Sequence, residues 1–254
     1  MVSSSNNPVN NKVGASISGV TNTFTVTNPS NTASSAARET ITVGGASAAD
    51  PTLNWNISGV TNWEMGIDNS VSDNLTISQG TALGTNDVWR MDTSGRRTMP
   101  LQPCFSVILN TTVNSVTGDS TNYLVLFDTI LTDQGSNVTL SSGAPTRTIF
   151  TAPVTGNYQI NTGIRFTNIG AQNSYVVAPV VNGGGVIAYN APAGNMGVMK
   201  DPSTNNFGTT NCSVINLTAG DTVSIVITAR GGAKTVGVLG APFYNSYFNG
   251  YLVC

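Results

Sequence analysis

Residues 150–160 read Phe-Thr-Ala-Pro-Val-Thr-Gly-Asn-Tyr-Gln-Ile, FTAPVTGNYQI. Phe150, Pro153, Tyr158 and Ile160 stand at fixed offsets around Gly156, in a chain otherwise written in serine, threonine, asparagine and glycine. The question is whether that pattern serves chemistry or shape, and the surrounding sequence answers it.

Alternation dominates on both sides. NTFTVTN, ETITVGG, PTLNWNISG, DNLTISQG and TVSIVITARGG each carry the two-residue period of half-exposed strands and end in Gly, Asn, Asp or Pro. Ser30 to Thr40, SNTASSAARET, has helix-forming composition, and Thr, Asn and Gly surround it. The chain is therefore expected to be all-β, with turns on the spacing usual for sandwiches.

Composition narrows the partners. Charged residues make up 9% of the 254, against about 25% in ordinary soluble domains, so hydroxyls and amides must wet the surface. A net charge of −2 leaves no basic footprint, and nucleic acid is not an expected partner. No stretch approaches the ~20 apolar residues of a spanning helix, so membrane insertion is not expected. The first residues, MVSSSNNPVNNK, lack the order of a secretory signal, and the sequons at Asn56, Asn74, Asn110, Asn137, Asn211 and Asn216 are read as unmodified.

Two regions are expected. Pro100 and Pro103, after the paired Arg96 and Arg97, suit a linker or the first strand of a new unit. A polar segment, 1–24, precedes a β-rich region, 25–100, that holds Trp55, Trp63 and Trp89; residues 101–254 form the second unit. At roughly 150 residues the latter can bury close to 70% of its unfolded surface.

Several strands of the second unit are apolar on both faces. In NYLVLFDT, Tyr123, Val125 and Phe127 alternate with Leu124 and Leu126, and SYVVAPVV from Ser174 repeats the doubling. In SYFNGYLVC, Tyr247, Tyr251 and Val253 oppose Phe248, Leu252 and Cys254. A two-layer sandwich buries one face of each sheet, so such strands call for a second cover, and another subunit is the economical candidate. The N-terminal region or a long loop is the alternative.

The opening stretch, as Phe150-x-x-Pro153-x-x-Gly156-x-Tyr158-x-Ile160, resembles the central signature of the complement globular-head and tumour-necrosis-factor-like jelly-roll family. VLFDTILTDQGS from Val125, LTAGDTVSIVI from Leu217 and SYFNGYLV from Ser246 are similar to three further family pieces, in order. Where the family often has Phe, this chain has Ile160, which keeps an apolar core residue. The resemblance covers residues 101–254 and implies a ten-stranded jelly roll in a homotrimer, with an aromatic closing one strand, Pro and Gly turning the chain, and Tyr opening the next. Together with the doubly apolar strands it places Tyr123, Val125, Phe127, Tyr158, Tyr247 and Tyr251 at the trimer interface.

Residues 25–100 resemble segments of bacteriophage and large-virus tail-fibre proteins, through WEMGIDNSVSD from Trp63 and DTSGRRT from Asp92. That resemblance implies a trimeric β stalk or head region, and a virion protein, on tail or capsid surface, made in the host cytoplasm.

Catalytic inventory is thin. Histidine is absent, which removes the commonest general base and the Ser-His and Cys-His pairs. Glu64, Asp68 and Asp73 form the one dense acidic cluster, in a turn-rich stretch where Asp and Asn more often close turns. A calcium site at Asp68, Asn69, Ser70 and Asp73 is the minority reading, without the twelve-residue loop and its terminal Glu. NGGG from Asn182 and ARGGAK from Ala229 open no helix and are read as hairpin turns rather than phosphate cradles. No cofactor or metal is expected. Cys104, Cys212 and Cys254 are read as buried small residues, with a Cys104–Cys254 bridge as the sharper alternative.

The expectation is a non-enzymatic homotrimeric viral or phage fibre whose knob binds a host-surface glycan or protein, beside other virion proteins. A structural decoration or joint protein without a receptor is the alternative. Tyr189, Asn190, Tyr244 and Asn245, on the loops 188–208 and 239–247, are the candidate receptor-binding residues, with Met196 and Met199 capping the three-fold axis.

Overall fold

Alternation becomes strand from Thr52 onward. The computed structural model describes residues 25–33, 35–142, 146–184, 196–242 and 245–253. The described part of Ser30 to Thr40 has no helix: it is exposed coil, because nothing packs on it to hold a short helix together.

The first sheet is an antiparallel meander of β1 (Thr52–Ile57), β2 (Thr61–Asp68), β3 (Asn74–Gln79), β4 (Asp87–Met91) and β5 (Arg97–Thr98). Its register puts Leu53 opposite Met65, Met65 opposite Ile77 and Ile77 opposite Trp89, with Trp55 opposite Trp63. Residues directly opposed share a face, so all three tryptophans lie on one side. The other side carries Glu64, Asp68, Thr76, Ser78 and Asp87, all buried. The meander is thus polar on its covered face and apolar on its open one.

A turn at Met99–Gln102 follows, closed by the Gln102 N–H donating to the Met99 carbonyl at 3.0 Å. Twelve strands then form two sheets. They are β6 (Cys104–Ile108), β7 (Val113–Thr117), β8 (Asn122–Leu124), β9 (Thr129–Gln134), β10 (Val138–Ser142), β11 (Arg147–Thr151), β12 (Gly156–Thr167), β13 (Ser174–Val181), β14 (Phe207–Leu217), β15 (Thr222–Arg230), β16 (Val236–Val238) and β17 (Tyr247–Leu252). One helical turn, α1 (Met196–Met199), precedes β14. The larger sheet runs β7-β16-β12-β17-β6-β9, with β14 on β12; the smaller runs β10-β11-β15-β13, with β8 on β15.

The chain passes repeatedly between the two sheets, as a jelly roll requires. Among the described residues there are twelve strands where ten are expected, because β12 and β15 are each met along one edge by two shorter strands placed end to end. Residues 231–235, which take in the GGAK of ARGGAK, are a crossover rather than a hairpin, since β15 lies in the smaller sheet and β16 in the larger. In NGGG, the Gly184 N–H does close a turn on the Val181 carbonyl at 2.9 Å.

Phe150 stands one residue before the end of β11 and Tyr158 lies near the start of β12, so the opening motif serves shape. Between the sheets, Phe105 stacks on Phe150 at 4.3 Å and meets Phe248 edge-on at 4.7 Å, while Tyr158 tilts against Phe150 at 5.5 Å. Burial pushes the Tyr158 phenol up in pKa, and its hydroxyl donates to the Val154 carbonyl at 2.8 Å.

That core corrects the interface expectation. Val125, Phe127 and Tyr158 are wholly buried inside a single chain and offer nothing to a partner. Tyr158 points inward from β12, and Val125 and Phe127, in the segment between β8 and β9, join the same core. Tyr123 is half-buried against the same core, and burial raises its pKa. The outer side of SYVVAPVV is also covered within one chain, as Val176, Ala178 and Val180 join Val226 and Leu124 in a second cluster. Met196 is likewise a core residue, whereas Met199 is exposed.

Candidate functional site

The outer face of the larger sheet is built by alternation along β12. Ile160, Thr162 and Ile164 turn inward and are buried; Gln159, Asn161 and Arg165 turn outward. Register carries the outward set across the sheet. Cys212 opposes Asn161, Asn161 opposes Asn249, Asn249 opposes Ser106 and Ser106 opposes Thr132. The result is a row of neutral polar side chains crossing five strands.

Hydrogen bonds hold the row. The Asn161 amide donates to Asn249 Oδ1 at 3.0 Å, and the Gln159 amide donates to Asn161 Oδ1 at 2.9 Å and to Cys212 Sγ. Tyr247 flanks the row on one side, opposite Gly163, and Tyr251 on the other, opposite Gln159. Beside Tyr247 lies a groove of about 480 Å³ that also reaches Leu131 and Thr210. Amides and hydroxyls between two phenol rings can exchange hydrogen bonds with sugar hydroxyls or with a polar β surface, and the rings supply apolar area.

Of the sequence-predicted residues, Tyr247 and Tyr251 are therefore on the surface and on one face, with Tyr251 47% exposed. Asn245 is half-buried and held in place: its amide donates to the Gly240 carbonyl at 2.7 Å, and it accepts from Arg165 Nη1 at 2.9 Å. Tyr189, Asn190 and Tyr244 lie outside the described residues, as does Cys254. Sequence reasoning missed Gln159, Asn161, Asn249 and Ser106, although the alternation of QINTGIRF announces the first two.

The cysteines differ from expectation. Cys212 is exposed, because it sits at an outward position of β14. Cys104 is a free, half-buried thiol that donates to Gln134 Oε1 at 3.4 Å.

Of the residues considered for calcium, Asp68 and Ser70 close a turn and Asn69 ties the preceding coil to the sheet. Asp68 Oδ1 accepts from the backbone N–H groups of Ser70 and Val71 at 3.1 Å each and from Ser70 Oγ at 2.7 Å. The Asn69 amide donates to the carbonyls of Ala46 and Ala48, and its backbone N–H donates to Asp50. Asp73 is exposed, with φ of 55°. Among the described residues no group of three or more His, Cys, Asp or Glu side chains could hold a metal ion.

Other carboxylates also serve loops. Burial pulls the Asp128 carboxyl up in pKa, but N–H groups of Asn110 and Thr111, donating at 2.6 and 2.8 Å, hold it below its ordinary value on balance. The Asn182 amide, at 2.7 Å, is the main cause of a lowered Asp221. A depression of about 360 Å³, mostly apolar, lies between the linker residues Met99 and Leu101 and the jelly-roll residues Val154 and Leu252.

No protein-family model matches this chain, and no curated protein matches it. Among solved structures, the globular domain of zebrafish complement 1qA protein aligns over 60% of this chain and 98% of its own, at 19% identity and a TM-score of 0.38. Murine APRIL at pH 8.0 aligns over 60% of this chain and 99% of its own, at 11% identity and a TM-score of 0.41. The jelly-roll architecture stands on the strand order and register of this chain itself.

Proposed function

We propose that this protein is a non-enzymatic, homotrimeric viral or phage fibre component whose jelly roll serves as a knob for a host-surface glycan or protein. The observation that carries the reading is the outer face of the larger sheet. Its row of neutral amides lies between Tyr247 and Tyr251, with Val214 61% exposed on the same β14 face. Such a face suits contact with another uncharged β surface better than proton transfer, since no acid or base stands in the row. Three copies joined there would shield that face and present the loops of each jelly roll outward.

The fibre role rests on the sequence resemblance of residues 25–100, and the receptor contact on the loops that bear Tyr189, Asn190, Tyr244 and Asn245. Light scattering of the full chain tests the assembly: three times the 26.2 kDa chain mass is expected. Binding of the assembled protein to a glycan array and to candidate host cells tests the function. Loss of binding on replacing Tyr244 and Asn245 by Ala supports the loop placement, and no binding to any surface supports a purely structural decoration protein instead.

A further inference from the structure

The meander shows its greasy side to water. Leu53 is 39% exposed, Trp55 53%, Ile57 62% and Trp63 38%, and Val60 in the β1–β2 turn is 77% exposed. Their neighbours across β2, β3 and β4, such as Met65, Ile77 and Trp89, are only half-buried. A cross-strand face built this way is the kind that a sheet normally turns toward a core. Here the side turned inward is the polar one.

Among the described residues the covering loop lies on that polar side. Leu83, in the 80–86 loop, is buried, as are Glu64, Asp68, Ser78 and Asp87. The Asp87 carboxylate accepts from the Gly84 N–H at 2.9 Å, which ties the loop down. The described coil before β1 is mostly exposed; where Asn69 ties it down, through Ala46, Ala48 and Asp50, it lies at the far end of β2 from Trp63.

We infer that this apolar face is a self-association surface, covered by the same face of neighbouring copies of the chain. The inference rests on the trimer proposed above and adds a second interface to it, in the meander. Charge selects the occupant. On β1 to β4 the face bears no acid and no base, and Arg97 on β5, opposite Met91, is the one charge at its edge, so a charged partner would lose its hydration for little return. The matching surface, neutral, aromatic and β-pleated, is that of another copy.

Area agrees. With a whole tryptophan offering ~150–250 Å², the exposed fractions of the five outermost residues amount to on the order of 450 Å². The half-buried neighbours bring the face toward the ~800 Å² per partner of a stable interface, and it already matches the largest patches of ordinary monomers, ~300–600 Å².

All three tryptophans of the chain lie on this face, which makes them its reporters. The test is tryptophan emission and acrylamide quenching of the full chain across a dilution series, with light scattering at each point. Scattering at trimer mass with blue-shifted, poorly quenched emission, both lost together on dissociation, is the expected result. Ile57→Glu, on an edge strand, should raise the concentration needed for assembly about 100-fold and free the tryptophans to quencher; Trp55→Ser serves if that variant misfolds.

Trimer mass with freely quenched tryptophans overturns this inference and leaves the jelly-roll trimer standing. Tryptophans protected in a chain of monomer mass also overturn it, because the cover is then intramolecular. Monomer mass with open tryptophans at every concentration overturns both readings.

Discussion

The ring of Tyr247 fills the space above Gly163, so that a β-carbon built on that glycine falls 2.4 Å from Tyr247 Cε1. The two residues are directly opposed across β12 and β17. Any side chain at 163 would have to displace the ring, which also lines the groove beside the amide row.

Gly163→Ala should therefore cost about 1–3 kcal/mol, the usual penalty of overpacking. Adding Tyr247→Ser should return most of that loss, making the pair strongly non-additive. Urea unfolding of the two single variants and the double variant measures the coupling; additive costs would show that the ring moves aside freely.

The opening motif predicts its own energetics. Phe150→Ala removes a ring stacked on Phe105 and tilted against Tyr158, and should cost roughly 3–5 kcal/mol. Tyr158→Phe keeps the packing and loses the bond to the Val154 carbonyl, for about 1 kcal/mol. Thermal denaturation ranks the two, and a milder Phe150 variant would contradict the role of the aromatic column.

Asp128 carries a pH signature. Its folded pKa lies below the unfolded one, so its contribution is present above the ordinary value of about 3.9 and is lost as pH falls through the folded value. Asp128→Asn should be less stable than the parent near neutral pH, and the difference should close in acid. Chemical unfolding at a series of pH values checks the sign. A gap that widens below pH ~4 would show that some other group dominates.

Cys212 reports on the larger sheet's outer face. In a Cys104→Ser, Cys254→Ser background its exposed thiol should label at least about tenfold faster in dissociated chains than in the assembled protein. Equal rates in trimer and monomer would place the trimer contact elsewhere.

Much of this was legible in the residues. The two-residue period of TVSIVITA forecasts a strand with one apolar face, and β15 is that strand. Phe150, Pro153, Gly156 and Tyr158 announce a strand end, a turn and a strand start, and the chain turns there. Asp68, in a turn-rich stretch, does close a turn, whereas Asn69 reaches back to Ala46 and Ala48. The interface assignment differs: the doubly apolar pattern around Leu124 and Leu126 and the family resemblance place Val125 and Phe127 at a trimer interface, whereas both are buried in the core of one chain.

By itself the sequence determined that this chain is of the all-β class, where its jelly roll turns, and that neighbouring side chains of a strand point opposite ways, because a pleated backbone allows nothing else. Which of the two ways is covered was decided only by tertiary structure. In the meander Glu64 and Asp68 ended inside while Trp55 stayed in water; in the jelly roll Asn161 and Asn249 met on an outer face although 88 residues separate them. Alternation is a local property, but cover comes from loops and partner strands far along the chain.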